Sequence, residues 1–325
     1  MTKRSIVPLL ALLISGQLDA GLGRHEASEP HMGTMFRIVV YSECVDLAGK
    51  GLEEAFSRVS KLNSLLSDYL PDSELSCLSR TAGSGKSVPV SKELWSVLAH
   101  ANDVSEGSCG AFDVTVGPYA RLWKIARAKR ELPQESRIKK FRESVGYRNI
   151  QFDNPMQAVR LKRDGMFLDL GGIAKGFAAD EALRVLADLG MPCALVDAGG
   201  DLVLGDPPPG RKGWKIAVGG QVHPDLPVLE LSNCAIATSG DTSQFVEIEG
   251  KRYSHIVNPH TGIGLTNRQQ ATVVAPSGTL ADALASTGCI LDPCKFSEVL
   301  KKFQGTHAYI IQESEADGKT LRMLP

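Results

Sequence analysis

The stretch DLGGIAKG at residues 169–176 constrains this chain more than any other segment. Ahead of it Met166, Phe167 and Leu168 form a short apolar run, and after it Phe177, Leu183, Leu186 and Leu189 recur at helical spacings. The pattern predicts a strand that enters a glycine turn and then opens an amphipathic helix, a nucleotide-binding layout. A glycine pair at such a junction lets the backbone approach a ligand closely, and the N–H groups at a helix start favour phosphate. Lys175 adds a point charge there. Two familiar glycine motifs do not fit. No Ser or Thr follows Lys175 and the G-x-x-x-x-G-K spacing is absent, which rules against a Walker A loop; Gly171, Gly172 and Gly176 also miss the G-x-G-x-x-G spacing. Taken alone, the segment is equally a tight strand-to-helix turn with an exposed lysine.

The rest of the chain narrows the class. Its 325 residues, 43% hydrophobic and 22% charged, describe an ordinary soluble globule able to bury a large core, as one domain or two intimate lobes. A net charge of −1 argues against nucleic acid as a bulk electrostatic partner. The densest basic region, Arg121 to Arg142, is interrupted by Glu131, Pro133 and Glu135 and reads as a solvated helical face. Residues 1–23 read as an export signal, because Lys3 and Arg4 precede the apolar run Ile6–Ile14 and small or polar residues follow. The protein is therefore expected in the periplasm or another extracytoplasmic space, with no transmembrane segment once mature, since the run is too short to span a bilayer. The first cysteine after that run is Cys44, which disfavours a lipid anchor. An N-terminal core helix is the plainer alternative. The seven cysteines contain no C-x-x-C pair and no His at zinc spacing, so zinc is not expected, and any disulfides would leave at least one thiol over.

Periodicity predicts a packing helix over 47–69, with Leu52, Phe56, Val59, Leu62 and Leu66 on one stripe, and a second helix capped by Ser91 that stops at Gly107. Strands are predicted at 158–161, 193–196, 214–218, 245–248 and 271–274, and 207–210 reads as a surface turn. Helices clustered early and strands later suit a mixed α+β architecture with largely antiparallel sheet, not a doubly wound parallel one.

Asp282 and Ser286 sit four apart in a helical pattern, so a carboxylate and a hydroxyl emerge one turn apart on one face. Both are hard oxygen ligands of the kind Mg²⁺ accepts together with phosphate oxygens. Thr279-x-x-Asp282 reads equally as a capping box at the same helix start. His255, before the turn Asn258-Pro259-His260-Thr261-Gly262, is a general base or acid, or else structural.

One ordered series of motifs joins these residues: MGT at 32–34, SDYLPDSELS at 67–76, AFDVTVGP at 111–118, DLGGIAKG at 169–176, VDAGGDL at 196–202, TSG at 238–240, SHIVNPHTG at 254–262 and TLADALAST at 279–287. In that order the series resembles the FAD:protein FMN transferase (ApbE-type) family over about residues 31–313, leaving 314–325 as a C-terminal tail. The resemblance implies a two-lobed ApbE-type architecture and a magnesium site made of Asp282, Ser286, which stands at a Thr position, and the backbone carbonyl of Gly172. It implies FAD contacts at Met32, Tyr69, Ala111, Phe112, Asp113, Asp169 and Lys175, and it lifts His255 above His260 as the residue of the chemistry. Gly199 and Gly200 permit close backbone approach to the flavin nucleotide. Tyr69 is a stacking ring by this reading, or simply the last apolar residue of its helix. Asp113 and Asp169 lie among apolar neighbours and need hydrogen-bonding partners, which ligand hydroxyls or amides would supply. Asn258 stands where many members carry Asp, and Thr242 where many carry an aromatic residue. The implied activity is Mg²⁺-dependent transfer of FMN from FAD to a Ser or Thr hydroxyl of a target protein, with release of AMP. An FAD pyrophosphatase and a non-catalytic flavin-binding protein remain as alternatives.

Overall fold

A computed structural model describes residues 21–218, 226–240, 244–314 and 318–325; all but the last three residues of the export-signal reading over 1–23, and the Thr242 position, lie outside the described residues. Eight strands build the main sheet: β1 (Gly23–His31), β2 (Thr34–Ser42), β3 (Ala194–Ala198), β4 (Leu202–Leu204), β5 (Cys234–Ser239), β6 (Gln269–Ala275), β7 (His307–Ser314) and β8 (Gly318–Leu324). They lie side by side in chain order, and every pairing is antiparallel. The sheet is thus a meander with helices inserted between its strands. Helices α1 (Val45–Leu66), α2 (Glu74–Ser79), α3 (Lys92–Gly107), α4 (Gly117–Lys129), α5 (Glu135–Phe141) and α6 (Ala174–Asp188) separate β2 from β3, and α7 (Gly278–Ile290) and α8 (Pro293–Leu300) separate β6 from β7. This is the expected α+β class with antiparallel sheet.

Period-two alternation sorts the faces of the sheet. Phe36, Ile38 and Val40 of β2 join the main core beneath α1, α6 and α7, whereas Val39 and Tyr41 turn to a smaller cluster around Trp214 on the other side. A separate core forms where Tyr119, Leu122 and Trp123 of α4 meet Val246, Tyr253 and Val257. The Trp123 indole N–H donates to the Gly262 carbonyl at 2.9 Å, which ties α4 to the turn that follows His255.

Several elements depart from expectation. No strand forms over 166–170; Met166, Leu168 and Leu170 are buried in alternation, but their backbone bonds run to Ser79 Oγ (3.2 Å, from Leu168 N) and Val114 O (2.8 Å, from Asp169 N). An apolar run reports burial, not a partner strand. Helix α1 stops at Leu66, because Ser67 turns extended and its hydroxyl accepts from Tyr69 N and Leu70 N. The helix capped by Ser91 runs to Gly107 as expected, with Leu94 N bonded to the Ser91 hydroxyl at 3.1 Å. Ordered structure begins ahead of residue 31, at β1, and the segment read as a tail carries β8, which pairs with β7 along its length. None of the seven cysteines is joined in a disulfide. Among the described residues no helix is long and apolar enough to cross a membrane.

Candidate active site

The site is built where the first turns of α6 and α7 abut. Gly176 and Gly278 face each other there, and a Cβ on Gly176 would overlap the carbonyl group of Gly278. This glycine is therefore required by helix contact and not by a ligand. Asp180, one turn further along α6, accepts from Gly278 N (2.6 Å), Thr279 N (2.8 Å) and the Thr279 hydroxyl (2.6 Å), while Ser277 caps the Leu280 N–H. The start of α7 is thus satisfied without Asp282, and the capping-box reading of Thr279-x-x-Asp282 fails. The Asp282 carboxylate turns instead to Lys175, with Nζ at 3.2 and 3.3 Å from its two oxygens, and accepts from Gly176 N at 3.2 Å.

A second carboxylate completes this cluster. Asp201 Oδ2 lies 2.8 Å from Lys175 Nζ, and its Oδ1 accepts from Thr238 N at 3.2 Å. Burial penalises the Lys175 ammonium most, yet Asp282 and Asp201 together overcome that and hold its pKa above the ordinary lysine value. Burial pushes Asp282 up, as does Asp201, against the pull of Lys175. Two nearly enclosed carboxylates thus share one ammonium, and the group carries an excess negative charge that an added cation would neutralise.

One turn after Asp282, Ser286 Oγ lies 3.4 Å from Ser239 Oγ, and a Cβ on Gly172 would sit 2.9 Å from that same Ser286 oxygen. Phe112 lies beneath the glycine turn, 3.4 Å from the same Cβ position, and Ala111 beside it is fully buried. Thr287, the neighbouring hydroxyl, donates to Ala283 O at 2.8 Å and is turned away. Gly172 and Ser286 are therefore neighbours, one helical turn from the Asp282 carboxylate. Carboxylate, hydroxyl and carbonyl oxygens with an uncompensated negative charge are the donor chemistry that Mg²⁺ takes, so these residues fit the ion.

On the other side of the glycine turn, Asp169 Oδ1 accepts from Gly171 N at 2.8 Å. Burial raises the pKa of Asp169, with Gly171 N–H, Arg121 and His255 opposing. Asp68 is pushed up to about 6, chiefly by burial and then by Asp169. Tyr69 is not the end of a helix stripe: the residue is 73% exposed, and Lys124 Nζ stands 4.2 Å over its ring. His255 Nδ1 is 3.0 Å from the Gln244 carbonyl oxygen. A carbonyl only accepts, so Nδ1 carries the hydrogen and Nε2 is the basic nitrogen of the neutral ring.

The remaining predicted contacts frame the site less directly. Met32 occupies the β1–β2 turn with φ 49°, its N–H bonded to Asn63 Oδ1 at 3.1 Å. Gly199 (φ 71°) packs on Thr34 beside that turn so tightly that no Cβ fits, whereas Gly200 (φ 103°) faces open space. Asp113 does not await a ligand for its partners: Thr115 N (2.8 Å), the Thr115 hydroxyl (2.6 Å) and Tyr147 N (2.7 Å) all donate to it. With His260, Arg142 and Arg148 it lines a cleft of about 300 Å³. Asn258 is spent on its own turn, accepting from His260 N at 2.9 Å.

Sequence reasoning did not single out Asp201, Asp180, Asp68 or Arg121. Asp201 alone left a signal, as an acid directly after a glycine pair at a strand end.

Known proteins resemble this chain along nearly its whole length. The sequence profile of the ApbE family matches residues 32–311. The FAD:protein FMN transferase of Treponema pallidum is 32% identical over 311 residues, covering 90% of this chain and 85% of its own, and that of Escherichia coli K12 is 27% identical over 301 residues, covering 89% and 84%. Among solved structures, the ApbE protein of Thermotoga maritima superposes with a TM-score of 0.82 at 28% identity, covering 93% of this chain and 97% of its own. A mutant of the flavin transferase ApbE from Vibrio cholerae superposes with a TM-score of 0.83 at 26% identity, with the same coverage.

Proposed function

The chain belongs to the ApbE family, and we propose that it is an exported, Mg²⁺-dependent FAD:protein FMN transferase, with FAD as donor and a Ser or Thr hydroxyl of a target protein as acceptor. The observation that carries the reading is the Asp201–Lys175–Asp282 cluster: a partly buried lysine held between two buried acids, one of them free of its helix cap, set beside Ser286 and the Gly172 turn. The acceptor oxygen bonds to the FMN phosphorus as the bond from that phosphorus to the bridging oxygen breaks, and AMP leaves with the bridging oxygen. Lys175 holds positive charge against the pyrophosphate oxygens throughout. Asp201 and Asp282 fix its ammonium in place. His255 Nε2 takes the proton of the acceptor hydroxyl, its ring held by the Nδ1 bond to Gln244. Tyr69 presents an exposed face for the flavin ring. Magnesium, held by Asp282, Ser286 and Gly172, would supply further neutralisation of phosphate charge. No covalent protein nucleophile is required.

The test is incubation of the mature protein with FAD and Mg²⁺, with and without an acceptor domain, followed by intact mass measurement of the acceptor. An FMN phosphoester that disappears in Asp282→Ala is the expected result. AMP and free FMN without mass gain would mean that water is the acceptor, and FAD left intact in every reaction would remove the catalytic reading.

A further inference from the structure

Helix α4 differs from the other charged helices of the molecule. Its sequence, GPYARLWKIARAK, contains four cations and no acid. On α1, α5 and α6 surface cations pair with acids of the same helix, Lys50 with Glu54, Lys139 with Glu135 and Arg184 with Asp188, and Lys301 at the C-cap of α8 pairs with Glu298 within it. None of Arg121, Lys124, Arg127 and Lys129 forms an ion pair with a carboxylate among the described residues. The helix buries Leu122, Trp123 and Ala126, so at 100° per residue Arg121 and Lys124 fall on the opposite, solvent-facing arc, Arg127 lies half-buried at its edge, and Lys129 is exposed at the C-terminal end of the helix. A face made only to be solvated gains from mixed charge, as the other helices show. Like charges three apart along an exposed helix repel unless something anionic lies across them.

This face borders the site. Arg121 stacks its guanidinium over Phe167 at 3.1 Å, next to Asp169, and Lys124 stands over Tyr69. Arg127 donates to Gln244 Oε1 at 3.4 Å, and the carbonyl of that glutamine receives His255. The cations therefore run from the exposed ring of Tyr69 towards the residue placed to deprotonate the acceptor. Exposed apolar groups lie among them: Ile125 is 47% and Leu70 44% accessible. A chain with a net charge of −1 has concentrated positive charge at one edge of its site, on a helix without an acid of its own, with Asp68 and Asp169 as the acids that Arg121 acts on. Resting on the transferase reading, we propose that the outer face of α4 docks the acceptor protein and takes an acidic segment of it that flanks the accepting hydroxyl. Electrostatic matching of this kind sets partner choice and encounter rate more than total affinity. The apolar side chains among the charges favour a polypeptide over a purely phosphate surface.

The test uses the full mature protein and two labelled synthetic peptides, each with one Thr, one flanked by Asp and Glu and the other by Asn and Gln. Binding is followed by fluorescence anisotropy at low and high salt, and FMN transfer by mass spectrometry. Wild type should bind the acidic peptide about 10-fold more tightly than the neutral one, a margin that shrinks at high salt. The Lys124→Gln/Lys129→Gln variant should lose most of that margin, and Lys124→Arg/Lys129→Arg should keep it. Equal binding of both peptides by wild type, or an unchanged margin in the glutamine variant, would overturn the docking surface. So would a glutamine variant that loses adhesion to phosphatidylglycerol vesicles while peptide binding stays unaltered, since the face would then read a lipid surface. Acidic preference without transfer to any acceptor would overturn the transferase reading and the acceptor role with it; transfer without acidic preference would overturn the docking surface alone.

Discussion

At the residue scale the decisive group is Asp201, which shares Lys175 with Asp282. Asp201→Asn removes one of two carboxylates holding the ammonium while keeping an oxygen for Thr238 N, so the fold should persist. Turnover of FAD should fall by about 10²-fold, the usual scale for losing one oriented electrostatic group, with a near-normal melting temperature as the control. Asp68 gives a prediction with the opposite sign to ordinary acid denaturation. Its folded pKa, about 6, lies above the ordinary aspartate value of 3.8, so the folded state binds the proton more tightly. Its contribution is most favourable below the unfolded pKa and is lost as pH rises through about 6. Asp68→Asn should therefore raise the melting temperature of the FAD-free protein at pH well above that value and have little effect well below it. Thermal melts of both proteins across that window decide the matter. Neither Asp201 nor Asp68 stood out by spacing, because an acid is singled out by what faces it, and Lys175 and Asp169 face them only after folding.

At the scale of elements, contacts between helices hold the site together. Arg58 of α1 reaches Glu93 of α3 at 2.7 Å and Glu181 of α6 at 2.9 Å, joining three helices through one guanidinium. Its hydrogen bond holds the Glu93 carboxyl down at about 2. That stability is fully present above the ordinary glutamate range and is lost as pH falls towards about 2. Arg58→Ala leaves two partly buried carboxylates facing each other and should cost about 2 kcal/mol, measured by urea unfolding near neutral pH. The contact between α6 and α7 tolerates less. Gly176→Ala forces backbone apart from backbone, so it should destabilise by about 3 kcal/mol and carry Lys175 away from Asp282, lowering FAD turnover beyond what the lost stability explains. The helix starts at Ser91 and the stripe of α1 were legible because caps and apolar periodicity are local. The end of α1 was not, since Ser67 breaks the helix by bonding Tyr69 and Leu70 rather than by any residue that forbids helix.

At the scale of the whole molecule, the sheet is a meander closed at one edge by β8, whose Leu324 enters the main core. Truncation after Ser314 should expose the edge of β7 and remove that contact, producing a lower melting temperature and concentration-dependent aggregation seen by light scattering. The alternation of strands and the early clustering of helices in the sequence were enough to determine an antiparallel α+β class, and the ordered motifs were enough to determine the family. Those properties depend on neighbours in the chain. The Asp201–Lys175–Asp282 cluster, the assignment of α7's cap to Asp180 and the missing strand at 166–170 were decided only by tertiary structure. Each turns on which group, distant along the chain, comes to satisfy a buried charge or backbone donor, and a linear pattern records burial without recording the partner.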